Sequence, residues 1–160
     1  MMDLVSSRNL MSVNVRSSDR RRLRTKLFQF NCEVCMLDFI GAEQYLITDF
    51  GAVWDRGSIY TNTFGILTRN CLPTVRKDPE FPYPWVKLKS SSGIDWFPIN
   101  QLLGWAFKPN CDPRMKYFLS DNVTLPLNLN DFYWTDKIEC SEDSLYKQFI
   151  DIVNGGKKNE

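Results

Sequence analysis

From Leu27 to Pro98 the sequence is a series of short runs rich in β-branched and aromatic residues, punctuated by glycine and proline. The runs are LFQFNCEVCML, QYLITDF, AVWD, SIYTN, GILTR, WVKLKS and IDWFP. Residues of these types fit a pleated, half-buried surface, so the pattern predicts a small, twisted antiparallel meander. RKDPEFPYPW carries Pro79, Pro82 and Pro84 and predicts an irregular connection, because proline cannot donate to a sheet ladder. SSSGID, around Gly93, predicts the hairpin turn between WVKLKS and DWFP.

Beyond Pro98 the period changes. In NQLLGWAF, Leu102, Leu103, Ala106 and Phe107 recur at helical spacing and Pro109 ends the run, predicting a helix of about two turns. MKYFL predicts a short strand and SDNVTLPLNLN a loop. Ser141, followed by Glu142 and Asp143, predicts the N-cap of a last helix that stops at Asn154 and Gly155. Leu145, Phe149, Ile152 and Val153 are its expected apolar stripe, and Trp105, Phe107 and Trp134 are expected core residues. The fold class expected is α+β.

A chain of 160 residues that is 43% hydrophobic is long enough for one domain with a real core. Its first 26 residues are instead polar and serine-rich and end in Arg20, Arg21, Arg22, Arg24 and Lys26. Such a segment buries little on its own and is expected to be a basic arm. The net charge is only +1, so no overall field draws the chain onto a polyanion and any contact to DNA or RNA must be local. The basic cluster has two readings of equal weight: a phosphate-binding arm, or a solvated charge run or contact to an acidic partner. Trp54, Tyr60 and Phe64 likewise read either as stacking platforms for bases or, more commonly for strands, as core.

The sequence contains no histidine. The commonest general base is therefore missing, and catalysis would have to use a carboxylate, lysine, cysteine or tyrosine. Cysteines stand at 32, 35, 71, 111 and 140, an odd number with no apolar N-terminal signal region, which predicts reduced thiols in a reducing, intracellular compartment. CEVC at Cys32 to Cys35 has zinc spacing but no second pair, so buried thiols are expected in place of a metal site. NVT at Asn122 matches a glycosylation acceptor, which carries little meaning inside a cell. No apolar run approaches the roughly 20 residues needed to span a bilayer, so no membrane association is expected.

The order of residues in INQLLGWAF resembles the V-H-R-L-V-x-x-A-F segment of HNH homing endonucleases. Ile99, Leu102, Leu103, Ala106 and Phe107 take the apolar positions and Asn100 stands at the histidine. The later block of that family, H-x-D-G-N-x-x-N-N-x-x-x-N-L-x-W, falls without a gap on Leu119 to Trp134. Leu119 then stands at the histidine, Asp121 at the aspartate, Pro126 and Leu127 at the paired asparagines and Asp131 at the later asparagine. Phe132 and Trp134 take the leucine and the tryptophan. Upstream, YLITDFGAVWD at Tyr45 to Asp55 is similar to the Y-x-V-S-N-x-G-x-V motif of the NUMOD4 module that commonly precedes such nucleases.

The resemblance implies a NUMOD4-like β-rich module over 27–98, a degenerate ββα HNH-like unit over 99–137 and a C-terminal helix and tail over 138–160, behind the arm at 1–26. HNH hydrolysis needs a histidine to activate water and a metal held against the phosphate. Leu119 cannot take a proton, Phe118 beside it cannot ligate a metal, and Asn100, Pro126 and Leu127 remove further groups. Asn100, Leu119, Asp121 and Asp131 are thus vestigial positions, with no catalytic residue, metal or cofactor expected and an Asx turn the simplest role for Asp121. The implied protein is a non-enzymatic component of a larger assembly of protein subunits, preferably a phage or virus particle. The alternative is a non-cleaving DNA-binding protein that uses Arg20, Arg21, Arg22, Arg24 and Lys26. Leu119, Pro126 and Leu127 are also expected to leave an apolar surface for a partner.

Overall fold

In the computed structural model, residues 22–27, 30–55, 74–109, 112–121 and 127–154 are described, with 22–27, 30, 31, 55 and 74 as backbone alone. The first four strands are β1 (Arg22–Leu27), β2 (Phe30–Met36), β3 (Tyr45–Thr48) and β4 (Val53–Asp55). They form an antiparallel meander in chain order. The strand expected from Leu27 is in fact a hairpin whose first arm is already β1, so Arg22, Arg24 and Lys26 lie in a sheet and not in the arm. Their alternation with Leu23, Thr25 and Leu27 is the period of a strand, which the density of arginine hides. Arg20 and Arg21, the expected strands SIYTN and GILTR, and Tyr60 and Phe64 lie outside the described residues.

A second sheet, β5 (Thr74–Arg76), β6 (Pro84–Lys87) and β7 (Trp96–Pro98), is again antiparallel and in chain order. The proline-rich connection falls between β5 and β6, and the turn between β6 and β7 centres on Gly93 at φ 87°. That turn also ties the two sheets together. Ser90 Oγ donates to the Ile40 carbonyl at 2.7 Å, and the Ser91 N–H donates to the Gly41 carbonyl at 2.8 Å. Gly41 closes the 3₁₀ turn Leu37–Ile40 at φ 75°, and a Cβ there would collide with the Ser91 side chain.

Helix α1 (Ile99–Phe107) follows β7 directly and is buried along all nine residues. It packs against strands of both sheets and against β8 (Tyr117–Ser120), which pairs antiparallel with β9 (Phe132–Thr135). A helix enclosed on every side must be apolar all round or satisfy its polar residues internally. Trp105, Leu102, Leu103 and Phe107 form the centre of one large core with Phe97, Trp85 and Phe118, while Trp134 is half-buried and packs on its margin.

Helix α2 (Leu145–Val153) closes the core. It starts three residues later than a cap at Ser141 would place it. Ser144 is the N-cap, its Oγ accepting from the Lys147 N–H at 3.2 Å, and Asn154 ends the helix as expected. The buried positions are Tyr146, Phe149, Ile150 and Val153, whereas Leu145 and Ile152 are 37% and 49% exposed. Phe149 is the pivot, with ring centroids 5.8 Å from Trp85, 5.8 Å from Phe97 and 6.0 Å from Trp105. The architecture is α+β: among the described residues, small antiparallel sheets with two α-helices.

Candidate functional site

The region that the sequence singles out is the β8–β9 ribbon and the start of α1. Neighbouring polar residues Asn100 and Gln101 enter the core on the first turn of α1, both with no exposed surface. Asn100 Nδ2 donates to the Phe118 carbonyl at 2.7 Å and to Tyr146 Oη at 3.0 Å. Gln101 Nε2 donates to the Lys116 carbonyl at 2.8 Å, and Gln101 Oε1 accepts from the Phe118 N–H at 3.3 Å and from the Tyr146 hydroxyl. At the end of β8, Tyr83 Oη donates to the Ser120 carbonyl at 3.1 Å and accepts from the Ser120 N–H at 2.9 Å.

Together these bonds run along one edge of β8. Lys116, Phe118 and Ser120 alternate, and their outward backbone groups are met by side chains of Gln101, Asn100 and Tyr83 where a neighbouring strand would otherwise sit. An edge strand buried without such partners would leave several polar groups desolvated, each costing about 1–3 kcal/mol. The other edge pairs with β9, in register Phe118↔Trp134 and Ser120↔Phe132.

Burial sets the ionisation of the clamp. Desolvation pushes the Tyr146 phenol well above its ordinary range, with the neighbouring Tyr83 phenol adding to it, and desolvation raises Tyr83 as well. Both phenols therefore keep their protons at neutral pH and act as donors. Asn100 Oδ1 has no hydrogen-bond partner among the described residues. Apart from that oxygen, the donors and acceptors of the clamp meet one another and join α1, β8 and α2.

Asp78 makes a second buried contact, with the N-terminal backbone of α2. Its Oδ2 accepts from Ser144 Oγ at 2.6 Å and from the Tyr146 N–H at 2.9 Å, and its Oδ1 accepts from the Glu80 N–H at 2.9 Å. Burial, the largest single influence, favours the protonated acid. The bonds from Ser144, Tyr146, Glu80 and Leu145 together outweigh it and hold the carboxyl below its ordinary value.

The positions expected to be vestigial do gather around this ribbon. Asn100 lies beneath Phe118, half-buried Leu119 sits on β8, and Asp121 and Asp131 flank the paired Ser120 and Phe132 at one end. Asp121 is exposed and accepts from Tyr133 Oη at 3.5 Å, and the residues with which the expected Asx turn would form lie outside the described ones. Asp131 is exposed at the end of a 3₁₀ turn, where its N–H donates to the Asn128 carbonyl at 3.0 Å. Leu127, expected on an apolar surface, is 3% exposed. It lies across Gly51, whose hypothetical Cβ would be 3.4 Å from both Leu127 Cδ1 and Ile99 Cγ2. Pro126 and Asn122 lie outside the described residues.

Cys32 and Cys35 are both buried, on opposite faces of β2, Cys35 in the main core and Cys32 in a smaller cluster with Val34, Leu46 and Trp54. An odd separation along a strand forces that outcome, so the zinc-like spacing cannot bring the two sulfurs to one ion. Trp54, one of the two-way aromatics, is a core residue of that smaller cluster. Cys140 is half-buried, and Cys71 and Cys111 lie outside the described residues. Among the described residues no group of three or more His, Cys, Asp or Glu side chains is placed to hold a metal ion. Among them, too, no helix is long and apolar enough to cross a membrane.

The clamp residues Tyr83, Gln101 and Tyr146 carry no mark in the sequence as a set, because their bonds join positions 15 to 46 apart. The available signal was Asn100 and Gln101 standing side by side in an otherwise apolar helix. Against known proteins, no family model matches the chain, and neither a curated protein nor a solved structure matches it.

Proposed function

We propose that this chain is a non-enzymatic structural or assembly component of a larger complex, with a phage or virus particle as the preferred setting and an HNH-type nuclease scaffold as its origin. The observation that carries this reading is the commitment of Asn100. At the position where the resemblance would put a histidine, the side chain is fully buried and both of its amide hydrogen bonds hold the scaffold together. Leu119 offers no proton acceptor beside it. The absence of histidine from the sequence is consistent with a fold kept for its shape. The test is to purify the native particle and quantify this protein against the major subunit. A fixed stoichiometry is expected, and absence from the particle overturns the reading.

A second reading, a DNA-binding protein without cleavage, draws on β1. Arg22, Arg24 and Lys26 occupy alternate positions of an edge strand, about 7 Å apart in pairs. Such a row fits a phosphate backbone, although cations on an edge also keep other strands from pairing with it. Duplex binding that falls steeply with salt and weakens when Arg20, Arg21 and Arg22 become alanine is the expected result of this reading. No binding at low salt removes it.

A further inference from the structure

The two edges of the β8–β9 ribbon are unequal. On β8 the backbone groups of Phe118 and Ser120 turn away from β9 and are met by Asn100, Gln101 and Tyr83. Ladder bonds in an antiparallel pair fall on alternate residues, so they join Tyr117 to Thr135 and Leu119 to Tyr133. Phe132 and Trp134 therefore turn their backbone groups to the outer edge of β9, where no further strand pairs among the described residues. The Phe132 N–H closes the preceding 3₁₀ turn on the Leu129 carbonyl. The Phe132 carbonyl and both backbone groups of Trp134 meet no described residue.

The side chains around that edge have a polarity along the strand. Phe132 and Trp134 stack on Phe118, so the alternate residue Tyr133 lies on the other side of the ribbon, 45% exposed and paired with half-buried Leu119. Exposed Asp131 precedes the strand, with exposed Asp121 near it, and exposed Lys137 follows its other end. Asp136, beside Lys137, acts on the Arg114 guanidinium. Among the described residues the ion pairs are Arg114–Asp112 and Lys147–Asp151, and neither Asp131 nor Lys137 takes part in one.

We propose that the outer edge of β9 pairs antiparallel with β9 of a second copy of this chain, in a register centred on Trp134. A two-fold axis across the strands makes such a pair antiparallel and joins the two ribbons into one four-stranded sheet. Centred on Trp134, the two Trp134 residues exchange both of their backbone bonds, and the Phe132 N–H keeps its turn. Centred on Tyr133, the pairing would demand that N–H. The same register sets Tyr133 opposite Thr135 of the second copy and Asp131 opposite its Lys137, with the reverse contacts following by symmetry. A strand with an acidic end and a basic end is complementary to itself in this orientation, whereas a uniformly acidic or basic segment would meet like charge at one end. The inference goes beyond the assembly reading and does not depend on it.

Sedimentation velocity of the full-length protein over a concentration series is expected to show monomer in equilibrium with dimer. Asp131→Lys alone and Lys137→Asp alone each set like charges opposite one another, and each should raise the dissociation constant by about tenfold or more. Mixed in equal amounts, the two variants carry opposite charges at both contacts, and the dimer should return. Hydrogen exchange locates the contact: the Trp134 amide should slow as concentration rises, while the Tyr133 amide, already bonded to Leu119, should change little. That measurement uses the unaltered protein and stands if either variant fails to fold. A monomer at every concentration overturns the proposal, as does a dimer indifferent to both substitutions. A mixture no more dimeric than its components overturns it too. So does Trp134 exchange that is independent of concentration, which would place any self-contact elsewhere. Presence in the native particle is a separate readout, so the failure of either reading leaves the other to its own test.

Discussion

At Gly104 helix α1 crosses the β8–β9 ribbon so closely that a Cβ would come within 2.6 Å of Phe118 Cγ and 2.8 Å of Trp134 Cζ2. On an exposed helix, replacing glycine by alanine stabilises by up to about 1 kcal/mol. Here the added methyl has to displace two aromatic rings, one of them in the core, so Gly104→Ala should destabilise by about 1–3 kcal/mol. The urea midpoint should fall with an unchanged slope, and a rise would show that the rings yield freely. Asp78 gives a prediction of a different kind. Its folded pKa lies below the ordinary 3.8, so its contribution is present above that value and is lost as pH falls through the lower, folded one. Asp78→Asn should cost about 1–3 kcal/mol at neutral pH by leaving buried donors without an acceptor. The gap between wild type and variant should narrow below pH 3.8, the range in which the wild-type carboxyl takes up its proton. A gap that stays constant with pH would mean that the charge of Asp78 contributes nothing to the fold.

Among the elements, β8 depends most on groups far from it in sequence. Tyr83→Phe removes the one hydroxyl that meets both the Ser120 N–H and its carbonyl and should cost about 1–3 kcal/mol, with faster hydrogen exchange at the Ser120 amide than at strands of the first sheet. An unchanged exchange rate would mean that the edge does not need its clamp. The same dependence explains which elements could be read in advance. Helix α1 was legible because its signals are local: apolar spacing inside, Pro98 before it and Pro109 after. The hairpin at Gly93 was legible for the same reason. The start of α2 was not, because Ser141 with Glu142 and Asp143 makes a better local cap than Ser144. What decides for Ser144 is Asp78, 66 residues away, which binds Ser144 Oγ and the Tyr146 N–H. The buried face differs from the expected stripe as well, with Tyr146 and Ile150 inside and Leu145 and Ile152 exposed. Strand β1 was hidden by composition, since five basic residues within seven positions look like a tail even where every second one alternates with Leu or Thr. The candidate site was legible as a place but not as an arrangement: its positions do gather at the β8–β9 ribbon, yet what Asn100 binds there was set by chain packing.

For the molecule as a whole, the two faces of the first sheet are unequal, and its cysteines report on each. Cys35 points into the large core that includes α1, α2 and the second sheet, whereas Cys32 points into a cluster of four buried residues with Met36, Phe50 and Ala52 at its margin. Regions with few buried apolar contacts open locally at less than the cost of global unfolding. Under native conditions an alkylating reagent should therefore label half-buried Cys140 first and Cys32 more slowly. Cys35 should react only at the rate of global unfolding, so that destabilising the core by Gly104→Ala accelerates its labelling most directly. Peptide mapping by mass spectrometry resolves the three sites in one time course. A shared metal site would behave otherwise, protecting Cys32 and Cys35 together and releasing both when a chelator is added. Equal rates for the two, with or without chelator, would instead show that the sheet opens as one unit and that its smaller cluster is as firmly held as the core behind it.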